Sequence, residues 1–108
     1  MCCFYRVVSS DPAPRDEFRA NRERGVPPTR PERLDPEIYD GISVWDTLGA
    51  AGALARTMKR SHVAQICLAM LPQGERVLVR KTFSPGHFTL IRNADVLSKC
   101  VMQVRAVQ

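Results

Sequence analysis

Val63-Ala64-Gln65-Ile66-Cys67-Leu68-Ala69-Met70-Leu71 is the strongest strand signal in the chain, and Pro72-Gln73-Gly74 ends it. A second β-type run, Arg76 to Phe83, follows after a short turn, so the two read as a hairpin. Ser84-Pro85-Gly86 breaks the chain again before a short strand, His87 to Ile91. Asn93 then caps one or two helical turns through Leu97, and Cys100 to Val107 forms a last strand. These pieces predict mainly antiparallel pairing after residue 60.

Upstream of this block, Gly41-Ile42-Ser43-Val44-Trp45 is strand-like. Ile42 and Val44 face one side, Ser43 and Trp45 the other. Asp46, with Thr47 as second candidate, caps a helix from Thr47 to Lys59 whose inward face is Leu48, Ala51, Ala55 and Met58. Gly49 and Gly52 each cost ~1 kcal/mol in a helix relative to Ala, and small residues there let it sit close to a sheet. Residues 25–40 hold Pro27, Pro28, Pro31 and Pro36 and predict an extended surface wrap or arm, pinned by Leu34, Ile38 and Tyr39. Cys3 to Val8 is a first strand. Ser10 or Asp11 caps a helix through Asp16–Arg22 that ends at Gly25, with Phe18 as its one apolar anchor. The order predicts one small α+β domain over residues 1–108, a mainly antiparallel mixed sheet with two to three helices.

The 108 residues are 44% hydrophobic and 25% charged, which is a globular composition with room for one core. The net charge of +5 is uneven. Residues 1–40 carry seven basic against eight acidic groups, and residues 41–108 carry nine against three. An anionic partner fits that second part, and so does an ordinary solvated basic face. No apolar stretch approaches the ~20 residues of a membrane span. No basic segment followed by an apolar run opens the chain, so a cytoplasmic location with reduced thiols is expected. Cys2, Cys3, Cys67 and Cys100 show no C-x-x-C spacing, and His62 and His87 stand far apart, so no metal site is expected. Neither common glycine-rich phosphate loop is present.

A few residues are candidates for chemistry. Arg6 sits mid-strand between Tyr5 and Val7. It lies either on a solvated face or in a cleft as a fork-shaped anion ligand. Ser43 and Trp45 share one face of a strand that runs into a helix N-terminus. They read either as a hydroxyl and a stacking surface for a ligand or as an ordinary strand serine and a core tryptophan. His87, after Gly86, is either a proton shuttle or hydrogen-bond donor, or an exposed loop histidine.

Phe4-Tyr5-Arg6-Val7-Val8, the segment Gly41 to Thr47 with its Ala-rich helix, and Val63 to Leu71 ending in Leu-Pro together resemble the bacterial ADP-ribosyltransferase-like domains, including the RES-type toxin domains. The chain is also similar to a compact bacterial family that opens as Tyr5 to Pro12 do and carries the Gly86-His87-Phe88-Thr89-Leu90 element. The first resemblance implies a nicotinamide dinucleotide (NAD) as ligand. Arg6 would hold it from the first strand, and Ser43 with Trp45 would hold it from the second. That group places an acidic or polar residue on a later strand to orient the ribose. No acid stands there, so the role falls to Thr89, His87 or Gln65. The resulting expectation is an NAD-binding ADP-ribosyltransferase or NAD glycohydrolase-like domain. The competing reading is a small non-enzymatic binding or regulatory module that engages an acidic protein or nucleic acid. Without a basic run or aromatic ladder, protein ranks above nucleic acid as that partner.

Overall fold

A computed structural model describes residues 3–107. Six strands form one sheet: β1 (Cys3–Val8), β2 (Ile42–Trp45), β3 (His62–Cys67), β4 (Leu78–Lys81), β5 (His87–Ile91) and β6 (Val101–Ala106). Their order is β4-β5-β2-β1-β3-β6, and every neighbouring pair is antiparallel. Three short helices complete it: α1 (Arg30–Leu34), α2 (Leu48–Thr57) and α3 (Ala94–Ser98). The architecture is the expected small α+β domain. Among the described residues no helix is long and apolar enough to cross a membrane.

Alternation along the strands divides the core between the two faces of the sheet. Phe4, Val8, Ile42, Val44, Ala64, Ile66 and Leu90 join Phe18, Leu97 and Cys100 in one cluster, beside α3 and the 3-10 turn Arg15–Phe18. Tyr5, Val7, Trp45 and Val63 pack with Ala51 and Ala55 of α2 on the other face. Gly52, one turn along α2, is buried as well, so the small-residue face is the one that meets the sheet.

The hairpin expected between Val63–Leu71 and Arg76–Phe83 is not made. β3 stops at Cys67, and Leu68–Met70 is a 3-10 turn. Both edges of β3 are already taken, by β1 and by β6. β4 instead pairs with β5, and Ser84-Pro85-Gly86 is the hairpin turn, with Gly86 at φ +81°. Asp11 and Ser10 cap no helix; the segment holds only the 3-10 turn Arg15–Phe18. Phe18 and Ala20 are both 1% exposed, a two-residue spacing that extended chain satisfies and a helix does not. Burying Phe18 contributes roughly 2–3 kcal/mol. Residues 25–40 are not wholly extended. Thr29 and Glu32 form a reciprocal capping box on α1, and Pro36–Asp40 is a 3-10 turn. Ile38 is buried and the Tyr39 hydroxyl donates to the Val26 carbonyl, but Leu34 is 77% exposed and pins nothing. Thr47, not Asp46, caps α2: its Oγ1 accepts from Ala50 N at 3.1 Å. Leu48 and Met58, expected on the inward face, are exposed.

β1 and β2 are joined at one bridged pair only, Tyr5 with Trp45. Beyond it the two strands diverge, so the centre of the sheet is forked. Cys2 lies outside the described residues.

Candidate functional site

Arg6 occupies the fork. Its Nε donates to the Glu17 carbonyl and its Nη1 to the Ser43 carbonyl, both at 2.7 Å. Neither acceptor is a carboxylate. Burial, with the nearby Arg24 charge adding to it and Glu17 opposing it, lowers the Arg6 pKa from 12.5 to about 10. The group is therefore a cation at neutral pH whose charge no contacting carboxylate neutralises. Arg24 carries a guanidinium without a hydrogen bond or ion pair among the described residues. Two like charges in a partly desolvated cleft repel, and an anion between them removes that cost.

Two cavities meet at this point. Arg6, Arg24 and Ser43 lie in the wall of both. The larger, about 560 Å³, runs under α2 and adds Trp45, Asp16 and Glu17. The smaller, about 330 Å³, lies beneath residues 19–38 and adds Asn21, Phe83 and Thr89. Glu17 is committed to structure. Both its carboxylate oxygens accept from Ser9 N at 3.1 Å, and Arg60 stands 3.8 Å away. Asp16 is more exposed, and among the described residues its carboxylate pairs only with Arg19, at 3.6 Å.

Arg6, Ser43 and Trp45, the three residues expected to hold a ligand, thus come together in one cavity wall. Arg6 turns into the cleft, and Trp45 is half-buried at its edge rather than sealed in the core. Of the expected catalytic pair, Thr89 lines the smaller cavity, while its hydroxyl lies 2.9 Å from that of Thr82. His87 is no exposed loop residue: it is 5% exposed and lines neither cavity. It is the cross-strand partner of Trp45, and their ring centroids stand 4.8 Å apart, edge to face. Its Nδ1 faces the Thr82 hydroxyl at 2.8 Å and the Thr82 carbonyl at 3.1 Å. Nδ1 donates to the carbonyl in one tautomer and accepts from the hydroxyl in the other. Burial lowers the His87 pKa, against the carbonyl bond that raises it, so the ring is neutral near pH 7. His87 holds Trp45 from behind. Gln65 faces Gln103 across the β3–β6 ladder, away from the cleft.

Sequence reasoning missed Arg24, Phe83 and Asp16. Phe83 is 64% exposed, sits at φ +60°, and places its ring centroid 4.8 Å from that of His87. Trp45, His87 and Phe83 therefore form an aromatic row from the larger cavity to the smaller. The signal for Phe83 was a bulky aromatic directly before Ser84-Pro85-Gly86, where no core strand continues. Nothing in the linear order singles out Arg24 among its neighbouring arginines. The chain matches no protein-family model, no curated protein and no solved structure.

Proposed function

We propose that the forked cleft binds a nicotinamide dinucleotide and that the domain is an ADP-ribosyltransferase or NAD glycohydrolase-like module. One observation carries this reading: among the described residues Arg6 is held by backbone carbonyls alone and Arg24 has no partner, and the two share a cleft whose edge is an indole. Two guanidiniums supply paired N–H donors for a pyrophosphate, and a tryptophan face supplies stacking for a flat base. In such a ligand the bond from ribose to nicotinamide breaks with positive charge building on the sugar. Asp16, in the same wall and only loosely paired, is the group suited to stabilise that charge. Ser43 contributes a hydroxyl where both cavities meet, and Thr89 borders the smaller one. His87 acts through Trp45, as a positioning residue.

The second reading is a module that binds an anion, on an acidic protein or nucleic acid, without transforming it. It is favoured by the Thr89 hydroxyl and the His87 Nδ1 being engaged with Thr82. Trp45 is the sole tryptophan, so its fluorescence reports the cleft directly. Titration with NAD should quench it at sub-millimolar concentration, and Arg24→Met should weaken the response. No response at several millimolar NAD ends the dinucleotide reading. Binding without release of free nicotinamide, followed by chromatography, selects the second.

A further inference from the structure

Cys3 and Cys67 are direct cross-strand partners in the β1–β3 ladder, and both are free thiols. The Cys67 N–H donates to the Cys100 carbonyl at 2.8 Å, toward the β6 side. A residue in an antiparallel strand turns its N–H and C=O to the same neighbour. Cys67 therefore makes no ladder bonds to Cys3, and the two form a non-hydrogen-bonded pair, the closer type, with Cα atoms about 4.5 Å apart. That separation lies within the roughly 4.4–6.8 Å that a disulfide spans. Partners directly opposite also project their side chains to the same face.

We propose that Cys3 and Cys67 are a peroxide-responsive pair, whose reversible disulfide staples β1 to β3. Cys3 is half-buried and meets the oxidant first; Cys67 is buried beside it. The Cys3 thiolate attacks hydrogen peroxide, takes one oxygen as a sulfenic acid, and the other oxygen leaves as water. The Cys67 sulfur then displaces that hydroxyl, which leaves as a second water with the Cys67 proton. Two thiols are oxidised to one disulfide and one peroxide is reduced. Cys100 is the other thiol near Cys67, but its Sγ donates to the Val96 carbonyl at 3.5 Å and burial raises its pKa, so it stays out of the exchange. β1 also carries Arg6, so the staple holds the strand from which that side chain enters the fork. The inference stands independently of any dinucleotide.

The test uses the full chain with Cys2→Ser, which removes the adjacent thiol. After hydrogen peroxide and thiol blocking, mass spectrometry should find a loss of two hydrogens and a proteolytic peptide pair joining Cys3 to Cys67. Dithiothreitol should reverse it, and the oxidised form should melt several degrees higher than the reduced one. Cys3→Ser should abolish the bond without unfolding the domain, whereas Cys67→Ser disturbs the core. A Cys67–Cys100 linkage overturns the proposal. So does intermolecular dimer alone, or Cys3 driven to sulfinic acid while Cys67 remains free.

Discussion

Replacing Arg6 by Met should leave the fold close to its original stability while removing anion binding. The guanidinium makes two charge-assisted bonds, to the Glu17 and Ser43 carbonyls at 2.7 Å. At about 1.5–3 kcal/mol each, their loss costs about 3–6 kcal/mol. Against this stands the cost of holding the charge in the cleft. The fall in pKa from 12.5 to about 10 corresponds to about 3 kcal/mol at most. The released carbonyls border the cavities and can take water. The net change is a destabilisation of roughly 0–3 kcal/mol, measured by urea unfolding. Binding should suffer more, because a buried charge pair lost from one side costs about 2–5 kcal/mol, or roughly 30-fold and upward in affinity. Trp45 fluorescence during NAD titration reads that loss. Destabilisation beyond about 5 kcal/mol, or affinity within threefold of the parent, would refute the reasoning and make Arg6 a structural brace.

Thr47→Ala should cost about 1 kcal/mol, because its hydroxyl caps α2, and Asp46→Ala clearly less; urea midpoints separate the two. Lys59 sits at φ +56° just past α2, where Arg60 N reaches the Ala55 carbonyl at 2.8 Å. Lys59→Gly should therefore raise stability by about 0.5–1 kcal/mol, as a higher melting temperature. The folded-state pKa of His87 lies below its unfolded value of 6.5, so the unfolded chain takes up that proton first. Stability from this residue is complete above about pH 6.5 and drains as the pH falls through the folded value. His87→Gln should flatten that part of the stability–pH curve, and an unchanged slope would show that burial of this ring is not its origin.

The α+β class, and the strands around Phe4, Val44, Ile66, Leu90 and Val104, were legible because period-two alternation is local. The partner of each strand was not. A short turn such as Pro72-Gln73-Gly74 signals a hairpin only if the strand edge beside it is free, and at β3 neither edge is. The helix expected around Asp16 failed for a similar reason: capping residues are local, but the demand to bury Phe18 and Ala20 together is tertiary. Within the site, Arg6 stood out because a guanidinium mid-strand is an odd residue type there, and Ser43 and Trp45 because they share one face of a strand that runs into a helix N-terminus. Arg24 and Asp16 come from irregular chain, where no periodicity marks an inward side chain. His87 looked like a loop residue from the neighbouring Pro85 and Gly86, yet the hairpin they form is what tucks it behind Trp45.

The lone rung between Tyr5 and Trp45 has a mechanical meaning. It divides the sheet into two panels of three strands each, β4-β5-β2 and β1-β3-β6, sewn by one stitch. Each panel has its own multi-rung ladders, the β3–β6 one shifted in register between Gln65 and Ile66, so the compliant line of the molecule runs along the seam, where a guanidinium spans the gap. A molecule lodged in that seam would touch both panels at once and draw them together. Occupancy should then slow amide exchange on β1 and β2 far more than on the outer strands.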